Sequence, residues 1–191
     1  MREFHKPVRR PGDFLESLVG AGDPSESLAH DSAAALLHRV RAAADPQLAE
    51  RIVGYAAEHG VDDVAELWAG RPADSLPGAL WRVYSLRHIV AGDAEHAGLL
   101  HRAGQPLASD VDAAVAGAPH LPAPDDVVRV ADEVLAGAFV GDFAAALDRA
   151  AAFCRVQAAG AESLGELSDG YARYAEELGR AAQLWRAGKL S

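Results

Sequence analysis

The sequence predicts an all-α protein: a compact multi-helix bundle of about seven to nine helices built from αα-hairpins. Three observations carry that expectation. Alanine is used heavily in a chain whose residues are 50% apolar, and alanine loses the least on entering a helix. Asp-Pro and Pro-Asp-Asp signals recur just ahead of apolar patches spaced by three and four residues, as helix starts do. No segment sustains period-two alternation between turn signals, so no sheet is expected.

The longest apolar helical pattern is Ser75 to Gly92, SLPGALWRVYSLRHIVAG. Pro77 stands near its start, where a missing N–H costs nothing. Asp74 or Ser75 is placed to cap the free N–H groups. Gly92 is expected to stop the helix in a left-handed C-cap. Apolar residues cover most of the circumference, so this helix should pack on several sides. Its polar breaks are Arg82, Ser85, Arg87 and His88.

The other elements follow in order. Residues 1–24 read as an N-terminal arm, with Arg2, Lys6, Arg9 and Arg10 clustered between prolines. Asp23-Pro24-Ser25-Glu26 starts a helix running to about Ala44. Asp45-Pro46 starts another, ending at Gly60. Val61-Asp62-Asp63 opens a short helix through Trp68, closed by Gly70 and Pro72. After the central helix, Gly92-Asp93 turns the chain into a helix ending near Gly104. These elements form an N-terminal helical part, 25–104. Residues 105–123 hold Pro106, Pro119 and Pro122 and read as a loose connection, with a turn or two over Val111 to Val115. The C-terminal part, 124–191, restarts at Pro124-Asp125-Asp126 and turns at Gly141-Asp142. It ends in a helix from about Ser168 to Ala187 whose stripe is Tyr171, Tyr174, Leu178, Ala181 and Trp185. The two parts are expected to pack as a single domain.

The totals exclude several functions. The 191 residues carry a formal net charge of −10, which opposes a general nucleic-acid or anionic-membrane surface, since both bind through basic groups. Cys154 is the single cysteine, so no internal disulfide can form. No run reaches the ~18 apolar residues of a membrane span, and no apolar stretch of the secretory type follows the basic first residues. Cytoplasmic location is the expectation.

Chemistry-bearing patterns are weak throughout. Residues 46–69 have the gross shape of a helix-turn-helix, with Ala56 and Gly60 four apart. The second helix, DDVAELW, is acidic where base edges and phosphate want Arg, Asn or Gln. His96 and Asp93 share a helix face, and His30 and His38 share another, yet no full ligand set forms. No metal and no cofactor is predicted. Cys154 lies on an apolar stripe and reads as a small core residue. Nucleotide-phosphate loops and nucleophile elbows are missing.

These readings point to a non-enzymatic binding or adaptor protein, acidic and expected as a homodimer, that uses a groove along the central helix. Trp81, Arg82, Tyr84, Arg87 and His88 are the candidate binding residues, because aromatics and arginine dominate interface hot spots. The Tyr171, Tyr174 and Trp185 stripe would face that groove or form a dimer seam. The alternatives are a transcriptional regulator using 46–69 and the basic arm, and a helical-bundle enzyme with a His-lined pocket.

Overall fold

The computed structural model describes residues 24–43, 51, 67–116 and 124–190. Over these residues the protein is all-α, with no strand. Seven helices are described: α1 (Pro24–Ala43), α2 (Leu76–Gly92), α3 (Ala94–Gly104), α4 (Asp110–Ala116), α5 (Pro124–Val140), α6 (Phe143–Ser163) and α7 (Asp169–Arg186). The predicted arm up to residue 23, most of the predicted 46–69 hairpin, and residues 117–123 lie outside the described residues. None of the helices among the described residues is long and apolar enough to cross a membrane.

The α2 boundary follows its capping chemistry. The Ser75 hydroxyl accepts the Gly78 N–H at 3.2 Å, and Pro77 falls in the first turn. The C-terminal end differs from expectation. Gly92 is the last helical residue, and positive φ is confined to Gly70, Gly165 and Gly188 among the described glycines. Asp93 ends the helix instead: its N–H bonds back to the Ile89 carbonyl, and its carboxylate accepts the His96 N–H at 3.0 Å to start α3. The α5–α6 turn works in the same way. Gly141 lacks a positive φ, and the Asp142 carboxylate accepts the Ala144 N–H at 2.9 Å. Both predicted Gly-Asp turns therefore exist, with the aspartate as the working residue. A carboxylate cap on exposed N–H groups also complements the helix dipole.

α6 is the axis of the packing. It touches α7, α3, α4 and α5, while α2 lies against α5, α1 and α7. The α6 residues Phe143, Leu147, Ala150, Phe153, Cys154 and Val156 are all buried. Each large apolar side chain so enclosed contributes about 2 kcal/mol relative to exposure. One buried cluster takes residues from Ala29 in α1 through to Ala182 in α7. Within the stretch predicted to be loose, α4 packs on α6, pinned by an Arg155–Asp112 ion pair at 2.6 Å.

At the α3–α6 seam the helix backbones meet directly. A Cβ on Gly104 would stand 1.9 Å from the Val156 carbonyl oxygen, and one on Gly160 would stand 1.9 Å from the Leu100 carbonyl oxygen. The two backbones touch there, which only glycine permits. Beside this contact lies His101, fully buried and stacked on Phe153 with ring centroids 5.4 Å apart. Neither of its ring nitrogens has a hydrogen-bond partner among the described residues. Burial pulls its pKa down to about 4, so the imidazole is neutral at pH 7. One turn away, Gln157 Nε2 donates to the Ala97 carbonyl at 3.2 Å.

Candidate functional site: the outer face of α2

At 3.6 residues per turn, α2 divides into an inner and an outer face. Ala79, Leu80, Val83, Leu86 and Val90 form the inner face and are buried. Trp81, Tyr84 and His88 share the outer face. Arg82 and Ser85 fall on the flank toward α7, and Arg87 falls on the flank toward α5.

The three outer rings form a row. Trp81 and Tyr84 centroids lie 5.8 Å apart and tilted, and Tyr84 and His88 lie 6.5 Å apart with planes 21° from parallel. Trp81 and Tyr84 are half-buried, with Trp81 packed against the core, and His88 is exposed. The i, i+3 and i+4 spacings of these residues bring the rings together.

Both arginines are held within the protein. Arg82 Nε donates to Glu177 on α7 at 2.5 Å, and its Nη1 donates to the Gly78 carbonyl at 2.8 Å. Arg87 Nε donates to Asp132 on α5 at 2.8 Å. Their side chains are 15% and 13% exposed. Ser85 and Tyr174 hydroxyls meet at 3.0 Å, joining α7 to the same flank. The five predicted residues thus lie together on one helix, three as a partly exposed row and two as braces to the neighbouring helices.

The C-terminal aromatic stripe turns inward. Leu178 and Ala181 are buried, and Trp185 stands edge-on to Phe143 at 4.9 Å beneath the Arg41 guanidinium. Burial, then the nearby Cys154 and Asp93, push the Tyr171 hydroxyl up to about 12. The Cys154 thiol is also buried, and burial raises its pKa strongly, so it is no thiolate nucleophile. His96 Nε2 meets Glu166 at 3.1 Å. Among the described residues, no three His, Cys, Asp or Glu side chains come together to hold a metal.

A concave site elsewhere escaped the sequence reading. A cavity of about 300 Å³ lies between α1 and the segment leading into α2, lined by Glu26, Ser27, His30, Asp31, Arg71, Pro72, Ser75 and Pro77. The pairs Glu26/His30 and Ser27/Asp31 are each four apart, which marks one helix face. The opposite wall lies some forty residues away along the chain, so only its near wall was legible.

No protein-family model matches the chain, and neither a curated protein nor a solved structure matches it significantly.

Proposed function

We propose that the protein is a non-enzymatic binding or adaptor module, and that a partner protein docks an apolar helix face along the outer face of α2. One observation carries the reading: Trp81, Tyr84 and His88 present a continuous, partly exposed row of rings. Rings on a well-packed helix lose little freedom on binding, which favours them as anchors. The ion pairs of Arg82 and Arg87 on either flank hold the helix that bears them and supply a charged rim. A helix with an apolar stripe matches such a surface.

The test is site-specific photo-crosslinking in cell extract. A photoreactive residue replaces His88, and a control replaces Glu176, which is exposed on α7. The expected result is one discrete adduct that forms at position 88, saturates, is absent at 176, and is lost when Tyr84→Ala is added to a chain with unchanged circular dichroism. A diffuse pattern equal at both positions would end the proposal. An adduct of twice the chain mass would keep the face but make a second copy its occupant.

A further inference from the structure

The cavity between α1 and the α2 entrance is lined by charges of both signs. Glu26, His30 and Asp31 come from α1; Arg71 comes from the other side, with Pro72 and Pro77 as apolar lining. We propose that this cavity is a binding site for a small zwitterion of amino-acid size, independent of the α2 outer face.

Four observations argue for that ligand class. A volume of about 300 Å³ is at the lower end for ligand pockets and suits a ligand of few heavy atoms. Arg71 is oriented before any ligand arrives: its Nε donates to the Leu67 carbonyl at 3.2 Å and its Nη2 to Ser25 Oγ at 2.9 Å. Among the described residues those bonds leave both Nη1 N–H groups and one Nη2 N–H, the end-on fork that a carboxylate takes. The α1 wall offers the complement, the carboxylates of Glu26 and Asp31, for an ammonium group. Asp31 is steadied by Ser27, whose hydroxyl donates to it at 3.3 Å. The acids and imidazole do not converge as metal ligands do, since no set of three comes together among the described residues. A small molecule carrying both charges fits a lining of both signs better than a bare cation.

The experiment uses the full chain and the His30 imidazole as an NMR reporter. Glycine, L-alanine and L-glutamine are titrated, with propylamine and propionate as probes carrying one charge each. Saturable movement of the His30 ring signals is expected with the amino acids, and roughly tenfold weaker response with either half-probe. Glu26 is exposed, so Glu26→Gln should fold normally and weaken the amino-acid response by roughly tenfold. Three results overturn the proposal: no saturable shift with any amino acid, propylamine or propionate binding as tightly as the amino acids, or Glu26→Gln titrating as wild type. None of them touches the α2 reading, which is measured elsewhere on the molecule.

Discussion

Two imidazoles in this protein stack on an aromatic ring and then part company. His88 lies along Tyr84 at 6.5 Å on the outside of α2, in solvent. His101 lies along Phe153 at 5.4 Å in the α3–α6 seam, with no exposure at all. The ring geometry is alike; the surroundings decide the role. Around His88 the flanking polar groups have partners and the ring faces water. Around His101 two backbones are pressed together and burial keeps the ring neutral. The first arrangement leaves a surface for another molecule, and the second leaves none.

The largest effect should come from breaking the seam. Gly160→Ala puts a methyl group on the Leu100 carbonyl oxygen. The helices must separate, and denaturant unfolding should show a loss of about 3 kcal/mol, the upper range for overpacking. An unchanged midpoint would mean that the seam is looser than described.

Acid should find the seam next. The folded pKa of His101 is lowered from 6.5 to about 4. The unfolded chain therefore takes up a proton that the folded chain refuses. Stability is fully present above pH 6.5 and falls as the pH drops toward 4, by roughly 3 kcal/mol in all. His101→Leu should flatten that part of the profile. It should also leave stability at pH 7 equal or higher, because an unpartnered buried polar group is removed. Parallel acid profiles for the two proteins would show that His101 is not the buried group claimed.

A smaller effect is expected at the edge of the outer face. The Ser85–Tyr174 hydroxyl contact should show a coupling of about 1 kcal/mol in a double-mutant cycle of Ser85→Ala and Tyr174→Phe. Zero coupling would mean that the two hydroxyls do not bond and would leave the Arg82–Glu177 pair as the polar tie between α7 and the α2 flank. The smallest effect on stability belongs to the proposed binding residue. His88→Ala should change unfolding free energy by no more than about 0.5 kcal/mol. A large loss of stability would make His88 a structural residue and remove it from the site.

How far these two regions were legible from sequence differs for physical reasons. Local chemistry was readable. The Ser75 cap, the Asp93 and Asp142 helix starts and the buried stripe of α2 depend on neighbours a few residues away. The left-handed stop assigned to Gly92 failed because Asp93 caps the next helix directly and leaves no room for an extra residue. Trp81, Tyr84 and His88 could be placed on one face from spacing alone. The partners of Arg82 and Arg87 could not, since Glu177 and Asp132 lie 95 and 45 residues away. The burial of His101 was equally hidden, for its cause is the contact of Gly104 with the distant Val156 and Gly160 backbone.

The contrast between the two imidazoles can be tested in one measurement. Native protein at pH 7 is treated briefly with diethyl pyrocarbonate, and the modified histidines are mapped by mass spectrometry. His88 should be carbethoxylated rapidly and His101 should stay intact until the chain is unfolded. Equal modification of both, or protection of His88 in the isolated protein, would contradict the division into an outer recognition face and a closed inner seam.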